Sequence, residues 1–248
     1  MEWRESGGLK WLEAELPGAR VAFTTRTGGR STGAFESLNL GLLTEDESDR
    51  VHLNRAALTD ALGLDPAGIV SGKQVHGAEV LRQEEPSKAS AWLLGAGGGP
   101  AHVDGWATSQ EGLAPLVFVA DCLPVALSGP RGVAMIHCGW RGLAAGIVER
   151  GAGKVEATAA AIGPGIGQCC FEVGEEVLAE FSHLGDDIAD GCMLDLAEVC
   201  ERLLRAAGVS DIQRSGLCTS CERALFFSHR RDGGATGRQA GVVWAWPS

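Results

Sequence analysis

Two apolar runs near the middle of the chain read Val117-Phe-Val-Ala-Asp-Cys-Leu-Pro-Val-Ala-Leu127 and Val133-Ala-Met-Ile-His-Cys-Gly-Trp-Arg-Gly142. Both have strand-like composition, and both are interrupted by polar residues, Asp121-Cys122 in the first and His137-Cys138 in the second. Because few residues separate the runs, we predict that they form neighbouring strands that bring Cys122 close to His137. Because side chains alternate along a strand, the side chain of Cys138 should lie on the face opposite to that of His137.

A third candidate ligand lies upstream, in Lys73-Gln-Val-His-Gly77. One thiolate and two imidazoles, from His76, Cys122 and His137, suit a zinc ion with an open fourth coordination position. Asp121 can then orient a ligand or carry a proton. The same residues also suit a cysteine hydrolase, with Cys122 as nucleophile and His137 as its base. A buried thiol with two structural histidines is the third reading, and residue spacing does not separate the three.

Length and composition set the broad class of protein. The chain has 248 residues, of which 45% are hydrophobic and 21% charged, as in ordinary globular proteins. It lacks both an apolar run of the roughly 20 residues that a membrane span requires and a signal-like N-terminus, so we expect a cytoplasmic protein without a membrane partner. A net charge of -11 argues against a nucleic-acid partner, and the eight cysteines are expected to be reduced.

Strand-like and helical patterns are interspersed without regular alternation, which favours an α+β (mixed α/β) fold. Strands are predicted over residues 18–25, 69–70, 78–81, 212–217, 224–228 and 241–246. Helices are predicted over residues 46–62, 143–154, 173–181 and 195–207. We expect one domain spanning residues 1–248, with a flexible glycine-rich loop at about 84–103. His52, on the first predicted helix, should face solvent, and His102, at the exit of the loop, is a poor candidate ligand.

Arginines beside glycines or strand ends are candidate ligands for an anion, because their planar donors match phosphate. These are Arg26, Arg141, Arg230, Arg231 and Arg238. The helix predicted after Gly142 would direct free N–H groups at the same anion, and Asn39 is a further candidate for substrate binding. Cys218-Thr-Ser-Cys221 has the spacing of a redox or zinc-binding pair, but with only Cys169-Cys170 as possible partners we interpret these thiols as structural or incidental.

Taken together, the motifs resemble the YfiH/YlmD family over essentially the whole chain and in order. They are Phe23-Thr-Thr-Arg-Thr-Gly-Gly29, Ser37-Leu-Asn-Leu-Gly41, Gln74-Val-His-Gly77, Ala120-Asp-Cys-Leu-Pro124, His137-Cys-Gly-Trp-Arg-Gly142, Ile162-Gly-Pro-Gly-Ile-Gly167 with Cys169-Cys170, Cys218-Thr219, Phe227-Ser-His-Arg-Arg231 and Thr236-Gly-Arg238. That family was long labelled as laccase-domain or multicopper polyphenol oxidase proteins and is now regarded as containing purine nucleoside phosphorylases.

The resemblance implies a zinc site made by His76, Cys122 and His137. It implies an α/β/β/α-layered fold akin to cysteine hydrolases. It also implies phosphorolysis of adenosine, inosine and methylthioadenosine, with deamination of adenosine, so purine nucleosides and phosphate are the expected partners. An amidase that edits peptidoglycan precursors is the alternative for this family. The chain departs from the family pattern at Cys138, where alanine is usual, at His229, where an aromatic residue is usual, and in the glycine-rich loop.

A multicopper oxidase is excluded by a count of histidines. Such an enzyme needs on the order of ten histidines, because copper centres rely on imidazole ligation, whereas this chain has six. A single Cu(2+) bound in vitro, with weak oxidation of phenols, is compatible with that number.

Overall fold

The structure is a computed structural model that describes residues 1–86, 88, 92–93 and 102–246. Most of the glycine-rich loop expected at about 84–103 lies outside the described residues. Strands in the described part of the chain are β1 (Glu2–Ser6), β2 (Leu9–Leu16), β3 (Ala19–Thr24), β4 (Ile69–Val70), β5 (Val80–Arg82), β6 (Gly105–Thr108), β7 (Ala114–Val119), β8 (Leu123–Gly129), β9 (Gly132–Cys138), β10 (Ala159–Ile162), β11 (Ala189–Asp190), β12 (Met193–Leu194), β13 (Asp211–Arg214) and β14 (Gln239–Ala245). The α-helices are α1 (Ser48–Leu62), α2 (Trp140–Ala144), α3 (Ile147–Val155), α4 (Glu175–Phe181) and α5 (Leu196–Ala206).

Twelve of these strands form two mixed, largely antiparallel sheets of six strands each, and β11 and β12 pair separately. The first sheet has the order β1-β2-β3-β14-β7-β4, and the second has the order β13-β10-β8-β9-β6-β5. As the two central apolar runs predict, β8 and β9 are antiparallel neighbours, with Leu123 opposite Cys138 and Pro124 opposite His137. The chain passes from the first sheet to the second between β7 and β8, at residues 120–122.

Strand alternation explains why both sheets are apolar on both faces. In β14, Val243 packs into the core between the two sheets. Val242 and Trp244 lie on the other face of the sheet, in the core that includes Leu58 of helix α1. In β9, Met135 faces the first sheet while Ile136 faces α3 and α5. Successive side chains of a strand point to opposite faces, so each sheet lies between the other sheet and a helical layer. The expected α/β/β/α layering is therefore confirmed.

Helix α1 matches its prediction closely, and its buried face carries polar residues as well as Val51 and Leu58. It ends where Gly63 adopts a left-handed conformation with φ 66°, the usual role of glycine after a helix. Leu53 points away from the core and is 58% exposed. Asn54 and Arg55 are buried instead, because their side chains bond to the backbone of the preceding loop, Asn54 to Ser37 and Asn39 and Arg55 to Leu40.

Two other predicted elements are wrong in detail. The single helix expected over residues 143–154 is two helices, α2 and α3, separated at Gly146, which has φ 84°. The strand expected over residues 224–228 is a turn followed by an irregular segment. There the N–H of Phe227 donates to Gln239 Oε1 (2.8 Å) and its carbonyl accepts from Gln239 Nε2 (3.1 Å). The side-chain amide replaces a strand partner, so the apolar pattern is satisfied without a sheet.

No helix in the described ranges combines the length and hydropathy needed to cross a membrane.

We predict that Gln239→Leu lowers the free energy of unfolding by about 1–3 kcal/mol for each backbone group of Phe227 left unsatisfied. Gln239 is 2% exposed, so water cannot replace the lost bonds. Urea denaturation checks this, with Gln110→Leu at an exposed position as the matched control, where a change within about 0.5 kcal/mol is expected. Equal effects of the two substitutions would contradict the assignment.

Candidate metal centre and active site

Three ligand-type side chains converge where the chain crosses between the sheets. Cys122 immediately precedes β8, His137 lies near the end of β9, and His76 comes from the loop between β4 and β5. One ligand atom from each lies within 4.8 Å of the others. The two imidazole rings meet edge to face, with centroids 4.9 Å apart and an interplanar angle of 68°. The trio chosen from its chemistry is therefore brought together by the fold.

The carboxylate of Asp104, which sequence reasoning missed, holds two of these residues in place. Its Oδ1 lies 2.8 Å from His137 Nδ1 and accepts from the backbone N–H of His76 at 2.9 Å. Its Oδ2 accepts from the N–H groups of Val75 (3.1 Å) and Gly77 (2.8 Å). Asp104 is fully buried. Its position as an acidic residue directly before an apolar strand is the feature of the sequence that could have indicated its role. Its bond to Nδ1 leaves Nε2 as the ligand atom of His137, the arrangement common to metal-binding histidines.

The Cys122 thiol and the His137 imidazole shift each other's pKa. Burial alone would raise the pKa of Cys122, but the charge of His137 and hydrogen bonds from both imidazoles lower it to about 6. Burial alone would lower the pKa of His137, but Cys122 and Asp104 raise it to about 9. Without a metal, the two groups thus form a thiolate–imidazolium pair.

The three side chains fit a zinc ion by donor type and by available space. A thiolate and two imidazole nitrogens are ligands that zinc prefers, and three protein ligands leave one position open. Gly139 lies against them: a Cβ atom there would come within 2.9 Å of Cys122 Sγ and 3.2 Å of His76 Cδ2. Only glycine leaves the ligand atoms accessible at this point.

The backbone of Asp121 has a φ of 89°, a conformation that residues other than glycine rarely adopt. Its Oδ1 accepts from Thr219 Oγ1 (2.7 Å), and its Oδ2 accepts from the backbone N–H of Arg230 (2.6 Å). Its carbonyl accepts from Ile166 N–H (2.7 Å). Such strain costs of order 1–3 kcal/mol and persists only where the surroundings impose it. Three separate segments impose it here, which fixes the adjacent Cys122.

The three candidate metal ligands, His76, Cys122 and His137, line a cavity of about 1560 Å³, and we call them the metal-ligand trio. Aromatic side chains form one part of its lining, and we call them the aromatic face: Trp92, Trp106, Phe118, Trp140 and Phe171. Trp92 and Phe118 stack with an interplanar angle of 9°. The buried Arg55 lies over both rings, and burial lowers its pKa to about 10.

Three of the predicted anion ligands line the same cavity, Arg141, Arg230 and Arg238. Arg141 is exposed and lies 4.3 Å from the ring of Trp140. The guanidinium of Arg230 donates to the Glu172 carbonyl. Burial lowers the pKa of Arg238, and the negative charges of Cys122 and Asp121 counteract that effect. The cavity thus combines positive side chains, apolar rings and the metal-ligand trio.

Two of the residues predicted to bind substrate or phosphate lie away from the cavity. Arg26 and Asn39 are not among the described residues that line the cavity. Arg26 donates to the carbonyls of Glu36 and Arg223. Asn39 is fully buried, and its Oδ1 accepts from the backbone N–H groups of Gly41 and Arg238. Asn39 therefore supports two residues that do line the cavity.

The remaining candidates from the sequence are Arg231, His52 and His102. Arg231 bonds to Asp232 and to the carbonyl of Thr219. His52 is partly exposed and lines the cavity, rather than only facing solvent. In the described part of the chain, neither His52 nor His102 belongs to a cluster of metal-binding groups.

A second group of ligand-type side chains lies outside the cavity lining. In this group, the four-cysteine cluster (Cys169, Cys170, Cys218, Cys221), the sulfur atoms all lie within 4.8 Å of one another. The sequence named Cys169-Cys170 as possible partners of Cys218 and Cys221 but favoured structural or incidental thiols, and the structure brings all four together. By contrast, Cys138 is buried in the core on the helical side of its sheet, as strand alternation predicts.

Comparison with known proteins places the chain in a family. A family model described as multi-copper polyphenol oxidoreductase laccase matches residues 20–246. The chain is 36% identical to purine nucleoside phosphorylase YlmD of Geobacillus stearothermophilus, over 94% of this chain and 93% of that protein. It is 35% identical to purine nucleoside phosphorylase YfiH of Escherichia coli, over 92% of this chain and 94% of that protein. The chain belongs to the YfiH/YlmD family.

Solved structures in the YfiH/YlmD family share the fold described above. The crystal structure of YlmD from Geobacillus stearothermophilus matches with a TM-score of 0.87 and 34% identity, over 98% of each chain. The Bacillus licheniformis hypothetical protein YfiH matches with a TM-score of 0.87 and 31% identity, over 98% of this chain and 99% of that one. The mixed fold expected from the sequence motifs is thus confirmed.

We predict that Asp104→Asn weakens zinc binding at the metal-ligand trio by roughly 10–100-fold, the usual effect of losing a partner of a metal-binding histidine. The amide keeps the size of the carboxylate but loses its charge, so the protein should stay folded while His137 and the residue 75–77 loop lose their anchor. Competition with a chromophoric chelator measures the affinity. Asp211→Asn, at an exposed position, is the control; equal affinities would contradict this positioning role.

We predict that alkylation of Cys122 in chelator-treated protein is half-maximal near pH 6. Its thiolate predominates above a pKa of about 6 and is lost as the pH falls below that value, whereas an ordinary thiol requires roughly pH 8.5. Rates at the Cys122 peptide, followed by mass spectrometry, give the profile. His137→Ala should move the midpoint upward by more than one pH unit. An unshifted midpoint would refute the ion pair.

Proposed function

We propose that this protein is a zinc-dependent purine nucleoside phosphorylase that acts on adenosine, inosine and methylthioadenosine. The observation that supports this most directly is the shared cavity, in which the metal-ligand trio, the aromatic face and three arginines all meet. Relatives covering almost the same length carry the name purine nucleoside phosphorylase. When bound at His76, Cys122 and His137, zinc supplies a Lewis acid with an open coordination position.

The purine would bind against the aromatic face. Stacking on aromatic rings is favourable for any base, and the partly exposed rings of Phe118 and Trp140 line the cavity. A typical ligand pocket measures roughly 300–1,000 Å³, so a cavity of about 1560 Å³ has room for a nucleoside and phosphate together. In this proposal the base would lie on the aromatic face and the phosphate beside the arginines at its border.

Phosphate would be held by the arginine side chains. In phosphorolysis, a phosphate oxygen forms a bond to ribose C1′ while the C1′–N9 bond breaks, and the purine leaves with the electron pair and takes up a proton. Arg141 and Arg230 are exposed to the cavity and can neutralise the attacking anion. Asp121, adjacent to Cys122, is the proposed proton carrier for the leaving purine.

The same site would also deaminate adenosine to inosine. Hydrolytic replacement of the amino group requires an activated water near C6 of the purine, and a metal ion held by His76, Cys122 and His137 would supply that activation. Ammonia release from adenosine in the absence of phosphate separates this reaction from phosphorolysis, which requires phosphate and releases the free base.

The decisive experiment supplies purified protein with inosine and inorganic phosphate. We expect hypoxanthine and ribose 1-phosphate in equal amounts, detected by liquid chromatography, and no product when phosphate is omitted. Cys122→Ala should abolish turnover because it removes a metal ligand. Wild-type product no higher than that of Cys122→Ala would exclude phosphorolysis of inosine.

We predict that Arg141→Ala raises the KM for phosphate by roughly tenfold or more, the effect of removing charge-assisted hydrogen bonds to an anion. The KM for inosine should change less, because the base binds to the aromatic face. Arg131→Ala, at an exposed arginine paired with Glu156 and absent from the described cavity lining, is the matched control. Parallel changes in both KM values would argue against a phosphate-binding role.

The thiolate–imidazolium pair of Cys122 and His137 favours a second candidate, a cysteine hydrolase or amidase acting on peptidoglycan precursors. The two candidates differ in their dependence on metal. Activity lost with zinc in His76→Ala would support the phosphorylase, whereas metal-free activity with an acyl group trapped on Cys122 would support the hydrolase.

A further inference from the structure

The four-cysteine cluster joins two turns that lie on either side of helices α4 and α5 in the chain. Cys169 and Cys170 belong to the short 3-10 helix Gln168–Cys170, and Cys218 and Cys221 come from the turn after β13. Cys221 Sγ lies 3.5 Å from Cys169 Sγ and 3.5 Å from Cys170 Sγ. All four sulfur atoms are mutual neighbours within 4.8 Å, so the cluster is not simply two separate pairs.

These spacings suit one tetrahedral metal ion. Zinc–thiolate bonds of about 2.3 Å place the sulfurs of a tetrahedral site about 3.8 Å apart, which lies within the observed range. A disulfide requires a sulfur separation of about 2.05 Å, and two disulfides would pair the sulfurs rather than gather all four. Four thiolates in tetrahedral geometry are typical of zinc or of iron–sulfur centres, but an iron–sulfur cluster bridges its cysteines through several atoms and holds them further apart.

The surroundings of Cys218 are suited to a metal-bound thiolate. The backbone N–H of Gly167 donates to Cys218 Sγ at 3.2 Å, and such donors stabilise negative charge on a ligand sulfur. A Cβ atom on Gly167 would lie 3.1 Å from Cys218 Cβ and 3.4 Å from the sulfurs of Cys169 and Cys218, so glycine allows the two turns to approach. Cys169 and Cys221 are exposed, which gives an ion a route of entry.

We propose that the four-cysteine cluster binds one structural zinc ion, separate from the ion proposed at His76, Cys122 and His137. Its position links it to Asp121. Thr219, between two of the cysteines, donates to Asp121 Oδ1, and Ile166, next to Gly167, donates through its N–H to the Asp121 carbonyl. Zinc in the cluster would tie together two of the three segments that hold Asp121 in its strained conformation.

The metal content of the purified, reduced, full-length protein tests this proposal without reference to enzymatic activity. We expect two zinc ions per chain in the wild type, one in His76→Ala and one in the double variant Cys169→Ser/Cys221→Ser. Cys192→Ser changes an exposed cysteine outside the cluster and should retain two. A single zinc that disappears in His76→Ala and persists in the double variant would overturn the proposal.

Cobalt(II) titration of His76→Ala protects the test against misfolding of the double variant, because it leaves all four cysteines intact. One equivalent should produce the visible bands of tetrahedral cobalt with strong thiolate-to-metal charge transfer, and zinc should displace it. Absence of these bands would overturn the proposal.

The oxidation state of the cysteines gives an independent result. After denaturation and chelation without reductant, all eight cysteines should react with an alkylating agent. Disulfides within the cluster, or stoichiometric iron with acid-labile sulfide, would refute a zinc site. Because none of these measurements depends on turnover, failure of the phosphorylase proposal would leave this inference unaffected.

Discussion

The buried carboxylate of Asp104 joins two parts of the candidate metal centre, the loop that carries His76 and the strand that carries His137. An isolated carboxylate in the interior would be strongly unfavourable, and here the N–H groups of residues 75–77 and the imidazole of His137 compensate its charge. Moving either the loop or the histidine would leave that charge unpaired. The positions of His76 and His137 therefore depend on one residue that is not itself a metal ligand, and together they lower the pKa of Cys122.

The passage of the chain between the two sheets supplies the remaining ligand. Residues 120–122 leave β7 in one sheet and enter β8 in the other, so Cys122 lies at an edge of the inter-sheet core, beside the cavity. The turn is strained at Asp121, and hydrogen bonds from Ile166, Thr219 and Arg230 hold it. Strain of this kind is expected at functional sites, where the surroundings fix groups in geometries that they would not adopt alone.

Much of this site could be predicted from the sequence because its chemistry is local. The strand pair that carries Cys122 and His137 is separated by only a short turn, and its apolar composition is unambiguous. Likewise, the end predicted for helix α1 at residue 62 is confirmed, with Gly63 directly after it. The strand predicted at residues 224–228 is wrong. Phe226 and Phe227 are buried there, but the side chain of Gln239 forms the hydrogen bonds to the Phe227 backbone that a neighbouring strand would otherwise form. Periodicity reports burial, and burial does not require a sheet.

The amino-acid sequence by itself determined the mixed fold class and the resemblance to a family, and it predicted His76, Cys122 and His137 as metal ligands, because these depend on residue type and on order along the chain. Only the tertiary structure decided that Asp104 anchors the metal centre, that Asn39 supports the cavity rather than lining it, and that two distant pairs of cysteines meet. Pairing of strands and packing of loops set those distances, and neither is encoded in the spacing of neighbouring residues.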